Sequence, residues 1–280
     1  MSKKKKSSRF NECLVRKRSH IFEKFSENKF KKSLLSTGLS DQKSAEVLEE
    51  VREHLSDKFS TAELYKTTGK AIYKRSRVCA ANYNIKRGIY ALGPDGYSFE
   101  IFCAEMLKAK VFETKVSVMK DGCFVKHEID VVAKRDDRNI YAECKFHNKK
   151  YHKSDIKTPL YINSRSLDIK QANPSDSFEF AIFTNTKFSE DAISYGKGVG
   201  LLLYSLNYPE RNTFIDLIRK YKVYPVTILK SLRVRDQRSL LNKKIVVVKQ
   251  VTQQHLIDIG LTNLEITKIL KEIKILTRPN

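Results

Sequence analysis

Three acidic side chains and one lysine fall at alternating positions on two neighbouring segments rich in β-branched and aromatic residues. Glu128 and Asp130 lie in the first segment, and Glu143 and Lys145 lie in the second. Because side chains alternate between the two faces of a strand, each pair shares a face if both segments are strands. A hairpin built only for stability seldom carries this much charge inside a domain. The pattern predicts a polar site beside the hairpin; the alternative is a pair of surface salt bridges on an amphipathic hairpin.

An aspartate on one strand followed by Glu-x-Lys on the next is typical of a magnesium site that acts on a phosphodiester. Mg²⁺ takes oxygen ligands and keeps several waters, so Asp130 and Glu143 with one phosphate oxygen would suffice. A bound metal lowers the pKa of a water and neutralises charge developing on the phosphorus oxygens. Lys145 would orient or deprotonate that water, or stabilise the transition state.

The composition favours a polyanionic partner. The chain has 280 residues, with 54 Lys+Arg against 32 Asp+Glu and a formal net charge of +22. This charge suits double-stranded DNA better than a membrane, because no apolar run reaches transmembrane length. The 5 cysteines form no Cys-x-x-Cys pair. We therefore expect reduced thiols and a cytoplasmic location.

Turn-forming residues and helical spacing divide the chain into regions. They are a basic tail expected to be disordered (1–11), a mostly helical region (12–92), a region that alternates between helix and strand (95–206) and a mostly helical C-terminal region (207–280). Ser60 and Glu63 form a capping-box pattern in the second region. Gly93-Pro94-Asp95-Gly96 is a turn, and its Asp95 lies too far before Glu143 to share a hairpin with it. The predicted fold class is α+β or α/β.

Residues 12–92 resemble the ATP-cone domain, the nucleotide-sensing module of ribonucleotide reductases and their repressor. The residues that carry the resemblance are Val15, Lys17, Arg18, Phe22 and Phe25 at the start, and Tyr83 and Arg87 on the last helix. The resemblance implies that Lys17 and Arg18 bind the phosphates of ATP or dATP. His20 stands where the family has glycine, and a side chain there would hinder a phosphate. The alternative is a helical domain that packs or dimerises without nucleotide.

Residues 95–206 resemble the Mrr-type restriction endonucleases of the PD-(D/E)xK superfamily. The matching segments are Glu100 on the first helix, the strand 127–133, Glu143-Cys144-Lys145, and the later segment 184–188. The element order α-β-β-β-α-β predicted here is the core of the restriction-endonuclease-like fold. The resemblance implies a Mg²⁺-dependent DNA endonuclease in which Asp130 and Glu143 hold the metal and Lys145 activates water. Glu100 would be a supporting residue or an additional ligand.

Two other functions fit parts of the same pattern. A structure-specific repair or junction nuclease would use the same site. A non-cleaving, nucleotide-controlled DNA-binding regulator would not explain why Asp130, Glu143 and Lys145 occur together. Residues 207–280 carry no catalytic motif, although residues 245–251 are predicted to form a strand. The sequence leaves open a homodimer or a higher oligomer.

Overall fold

The computed structural model describes residues 13–16, 21–136, 138–149 and 151–278. The structure is mixed α+β, as the sequence predicted, and the chain divides into two compact units, residues 1–84 and 85–280. The first division therefore falls at residue 84, ahead of the turn at 93–96. The regions 95–206 and 207–280 belong to the same unit. The tail 1–11, together with Lys17, Arg18 and His20, lies outside the described residues.

The first unit combines a small sheet with helices. Its elements are β1 Leu14–Arg16, β2 Phe22–Lys24, α1 Glu27–Leu35, α2 Asp41–His54, β3 Lys58–Ser60, α3 Thr61–Arg75 and α4 Arg77–Tyr90, the last of which continues into the second unit. Strand β1 pairs antiparallel with β2 and parallel with β3. The predicted capping box is confirmed. The Ser60 hydroxyl accepts from the Glu63 backbone N–H at 3.1 Å, and the Glu63 carboxylate accepts from the Ser60 N–H at 2.7 Å.

The second unit is built on a five-stranded mixed sheet. Its elements up to that sheet's last strand are α5 Tyr97–Lys108, β4 Glu113–Asp121, β5 Lys126–Arg135, β6 Arg138–Lys145, β7 Lys153–Ser154, α6 Lys157–Ala172, β8 Phe178–Thr184, β9 Lys187–Phe188, α7 Glu190–Gly198 and β10 Leu202–Tyr204. The strand order is β10-β8-β6-β5-β4, with antiparallel pairing from β4 to β6 and parallel pairing from β6 to β10. Apart from the two-residue strand β7, the order from α5 to β8 is the one predicted.

Helices cover the central strands and bury their apolar residues. Helix α5 packs on β4, β5 and β6, while α6 packs on β8 and on α7. One hydrophobic cluster joins strand residues such as Tyr141 and Ile182 to Ile162 and Ile169 of α6. Strand β8 is almost wholly buried, which explains its nearly continuous apolar sequence.

Asp168 of α6 fixes the turn between β4 and β5. Its Oδ1 accepts from the Phe124 N–H at 3.0 Å, its backbone carbonyl accepts from the Cys123 N–H at 3.2 Å, and its Oδ2 lies 2.6 Å from His127 Nε2. A Cβ at Gly122 would lie 2.0 Å from that Oδ2, so the close approach requires glycine. These contacts hold α6 against the start of β5, three residues before Asp130.

The C-terminal part of the second unit is mostly helical. It contains α8 Phe214–Tyr221, α9 Val234–Asn242, α10 Gln253–Asp258 and α11 Asn263–Thr277. The predicted strand at 245–251 is wrong: Val247 makes one isolated bridge with Pro225, and Val248–Gln250 is a short 3-10 helix. The Gln250 side chain accepts from the N–H groups of Val246 and Val247, which bends the backbone back on itself. The apolar run reflects burial on all sides rather than strand pairing.

Candidate active site

Strand β5 loses its regular pairing at Asp130. Ser117, which adopts a left-handed φ of 53°, and Asp130 drop out of the β4–β5 ladder, and the β5–β6 ladder stops at Val131 and Ala142. The Asp130 carboxylate accepts a hydrogen bond of 2.6 Å from the backbone N–H of Cys144. The strands therefore separate here, and Asp130 satisfies a β6 donor that regular pairing would otherwise use.

Glu143 is the buried carboxylate of the site, with 3% of its surface exposed. Its Oε1 forms an ion pair with Lys145 Nζ, and its Oε2 lies 2.5 Å from Nη1 of Arg165. A buried charge costs several kcal/mol unless it is paired, so both cations are needed to hold this carboxylate in place. The Lys145 side chain is 38% exposed and that of Arg165 is 10% exposed, so the lysine is the partner that a substrate can reach.

Arg165 of α6 is a residue of the site that the sequence patterns did not single out. Besides Glu143, its Nη1 donates to the backbone carbonyl of Glu128 at 3.1 Å. Its Nη2 contacts the Tyr161 hydroxyl, and the guanidinium carbon lies 4.6 Å from the centroid of the Tyr161 ring. The arginine thus ties α6 to both β5 and β6, on either side of the gap between those strands.

Further carboxylates lie around the ion pairs of Glu143 and repel one another. Burial, followed by the charge of Asp130 and then those of Glu128, Glu143 and Asp95, raises the pKa of Glu100 to about 7. Burial and the charge of Glu143 raise the pKa of Asp130 to about 6, although the Cys144 N–H and the nearby cations oppose the change. A buried cluster of acidic groups with raised pKa values is a common feature of functional sites.

The structure therefore brings together the residues predicted for the site. Glu100, Asp130, Glu143 and Lys145 interact with one another through charge or direct contact. Glu128 is exposed at the rim of the cluster.

The donor set fits Mg²⁺, which needs only one or two protein carboxylates when a substrate phosphate supplies another oxygen. Asp130 and Glu143 offer such oxygens at the point where the strands separate. Within the described ranges, no group of three or more His, Cys, Asp or Glu is arranged to hold a metal ion. A metal here would therefore depend on waters and on substrate for the rest of its coordination.

A buried polar network supports the chain just beyond β6. Asn185 accepts from the His147 N–H at 2.8 Å and donates to the His147 carbonyl at 2.9 Å. Thr184 and Thr186 lie 3.0 Å apart through their hydroxyls, and the Ser154 hydroxyl reaches Thr184 at 3.4 Å. The Thr-Asn-Thr segment that resembled the Mrr type thus has a visible role, because it fixes the chain that leaves Lys145.

We expect the Glu100→Gln protein to gain stability relative to wild type as pH rises from about 4.5 to about 7. In this window the folded protein holds a proton on Glu100 that the unfolded chain has lost, so wild-type stability falls as pH rises. Glutamine removes this dependence. Melting curves from pH 4 to pH 8 would measure it.

Glu105→Gln is the matched control, because Glu105 lies on the same helix and pairs with Lys108. This variant is not expected to show the gain. A stability difference between Glu100→Gln and wild type that stays constant with pH would contradict the assignment of Glu100 to a half-buried acidic cluster.

The fold and the acidic cluster define a mixed α+β protein with a carboxylate–lysine site. Sequence comparison identifies the family to which this protein belongs. An uncharacterized protein of Archaeoglobus fulgidus is 35% identical over 175 residues, which cover 61% of this chain and 97% of that protein. The crystal structure of AF1548, a protein of unknown function, shares 33% identity and a TM-score of 0.54, covering 65% of this chain and 98% of that one. Residues 224–277 match the family described as AF1548-like, C-terminal. The chain belongs to the AF1548 family.

Another solved structure is a much weaker match. The MspJI restriction endonuclease in complex with a 27-mer oligonucleotide is 12% identical with a TM-score of 0.34, over 66% of this chain and 36% of that one. A likeness of this size supports no argument about fold or substrate. Among the described residues, no helix is both long and apolar enough to cross a membrane.

Proposed function

We propose that this protein is a Mg²⁺-dependent DNA endonuclease with a restriction-endonuclease-like catalytic core. The observation that carries the proposal is the buried Glu143, held between Lys145 and Arg165 beside Asp130 at the point where two strands separate. A purely structural ion pair would not need a second carboxylate and a partly exposed lysine in the same place. A role in restriction or defence rests on the resemblance to the Mrr type alone.

Each residue of the cluster has a separate task in this proposal. Asp130 and Glu143 would hold Mg²⁺, which supplies charge neutralisation at the scissile phosphate. Lys145 would leave Glu143 to orient the attacking water or to stabilise charge on the phosphate oxygens. Arg165 would keep Glu143 in place during that exchange, because its Nη1 also donates to the Glu128 carbonyl and its Nη2 contacts the Tyr161 hydroxyl. Glu100, with its raised pKa, would accept or donate a proton beside the other carboxylates of the cluster.

DNA binding by this protein should depend steeply on salt concentration. The formal net charge is +22, and about six phosphate contacts imply a log–log slope of binding constant against salt near −5. Fluorescence anisotropy with a labelled duplex in EDTA, from 50 to 300 mM salt, would measure this slope without cleavage. A slope near zero would mean that the positive charge does not contact DNA.

Two rival functions are separated by one substrate panel. Plasmid, methylated plasmid, flap and four-way junction substrates would be incubated with and without Mg²⁺ and ATP. Cutting confined to flaps or junctions would favour a structure-specific repair nuclease. Tight DNA binding without cutting of any substrate would favour a nucleotide-controlled regulator.

We also infer that the first unit binds ATP or dATP. Besides the ATP-cone resemblance, a cavity of about 240 Å³ lies beside β1, β2 and the start of α1 and is lined by residues that include Val15, Glu23, Lys24, Lys29 and Leu64. Lys17 and Arg18 follow β1 directly in the chain. Titration calorimetry should detect ATP binding to wild type, and Lys17→Ala with Arg18→Ala should remove it. Absence of binding to wild type would instead leave this unit a packing or dimerisation domain.

A further inference from the structure

The loop that follows β6 is anchored at both of its ends, while Lys150 within it lies outside the described residues. Asn185 bonds both backbone groups of His147 at the start of the loop, and the rings of His147 and His152 lie 4.0 Å apart. At its end, Lys153 pairs with Lys187 in the parallel β7–β9 ladder. These anchors fix both ends of the segment 147–153, which begins two residues after Lys145. His147 lies two residues, roughly 7 Å of extended backbone, after Lys145. Its ring contact with His152 brings the residue that follows Tyr151 back beside His147.

This loop presents an aromatic ring among positive charges. Tyr151 is 80% exposed, and Lys149 of the same loop and Lys153 and Lys187 of the β7–β9 ladder are also exposed. The sequence has no acidic residue between Glu143 and Asp155. An exposed tyrosine on an anchored segment gains nothing from the protein core, whereas the lysines oppose the approach of any cationic surface. The chemistry that complements both is a phosphate backbone that carries an accessible aromatic base.

We propose that Tyr151 stacks on an unpaired base next to the scissile phosphate, while Lys149, Lys153 and Lys187 hold the flanking phosphates. Bases inside a duplex are already stacked and do not offer a face to a tyrosine. The loop therefore selects DNA with unpaired nucleotides beside the cut, such as a flap or an overhang. This inference rests on the proposed nuclease function and favours its structure-specific form over a role in restriction.

The test compares DNA affinities in EDTA, where no cleavage occurs. Wild type and Tyr151→Ala would be titrated with a labelled flap duplex and with a blunt duplex of the same length. Stacking on one base contributes about 1–3 kcal/mol, so Tyr151→Ala should bind the flap roughly 5- to 150-fold more weakly. Its affinity for the blunt duplex should stay within about twofold of wild type. Tyr151→Phe should retain flap binding, because it keeps the ring.

Phe124→Ala is the matched control, because Phe124 is 79% exposed and lies on the β4–β5 turn of the same unit. It should bind both substrates as wild type does. A flap affinity of Tyr151→Ala equal to that of wild type, or an equal loss on both duplexes, would overturn the inference. So would a change in sedimentation with no change in DNA affinity, which would make the loop an interface between copies of the chain.

The outcome is separable from that of the nuclease proposal. If flap binding depends on Tyr151 but the protein does not cleave DNA in Mg²⁺, base stacking by Tyr151 is supported and the nuclease function is contradicted. If the protein cleaves DNA in Mg²⁺ but its flap affinity does not depend on Tyr151, the nuclease function is supported and base stacking by Tyr151 is contradicted.

Discussion

The Asp130→Asn protein is expected to lose DNA cleavage by about a thousandfold or more in Mg²⁺. The substitution removes one of the two proposed metal ligands, and a bound metal contributes several kcal/mol of charge stabilisation in the transition state. The amide can still accept the hydrogen bond from Cys144, so the strand separation should persist. DNA affinity should be retained, because the substitution also removes a negative charge that would repel the DNA phosphate. Single-turnover cleavage and anisotropy measure the two properties separately.

Asp121→Asn is the matched control for this experiment. Asp121 lies on β4 in an exposed ion pair with Lys126, so its replacement should leave cleavage within about twofold. If Asp130→Asn cleaves DNA in Mg²⁺ at the same rate as wild type, the metal site lies elsewhere.

Arg165→Met should lower cleavage by roughly 10- to 100-fold and also destabilise the protein. Residues that orient a metal ligand typically have effects of this size. Leaving the buried Glu143 with one cation should also cost about 3 kcal/mol, since breaking a buried ion pair is strongly destabilising. We expect the Mg²⁺ concentration for half-maximal cleavage to rise, because Glu143 is no longer held in position. Isothermal calorimetry of Mg²⁺ binding provides a readout that does not rely on activity.

Two further variants show whether Arg165 acts through its geometry. Arg165→Lys keeps the charge but loses Nη2, which contacts the Tyr161 hydroxyl while Nη1 reaches both Glu143 and the Glu128 carbonyl, so its cleavage should be intermediate. Arg138→Met removes an exposed ion pair with Glu179 and should change stability by less than about 1 kcal/mol. If Arg165→Met matched Arg138→Met in Mg²⁺ dependence and stability, Arg165 would have no role in positioning Glu143.

The strand residues of the candidate site could be predicted from sequence because their signal is local. Alternation along two adjacent segments places Glu143 and Lys145 together, and the structure joins them in an ion pair. The same pattern predicts Asp130 as a site residue, but it does not predict the break in strand pairing at that position. Regular strand pairing predicts an unbroken ladder there, whereas the structure shows the left-handed Ser117 and the separation of β5 from β6.

Residues that reach the site from elsewhere in the chain gave no such signal. Arg165 lies 22 residues after Glu143 on a helix, where a single arginine is most often a surface residue. Asp95 lies in the turn just ahead of the helix that carries Glu100, and its charge makes the smallest contribution to the raised pKa of Glu100. Likewise, the apolar run at 245–251 looked like a strand, because burial on all sides and strand pairing produce the same composition.

Metal-dependent cleavage is the most direct test of the central claim. Purified wild-type protein and Lys145→Met would be incubated with supercoiled plasmid and with a labelled flap duplex, each in MgCl₂ and in EDTA. We expect wild type to convert at least one substrate to nicked or cut product in MgCl₂ and neither in EDTA. Lys145→Met should be about 100- to 1000-fold slower. Cleavage that persists in EDTA, equal cleavage by both proteins, or no cleavage of either substrate by wild type in MgCl₂ would contradict the account.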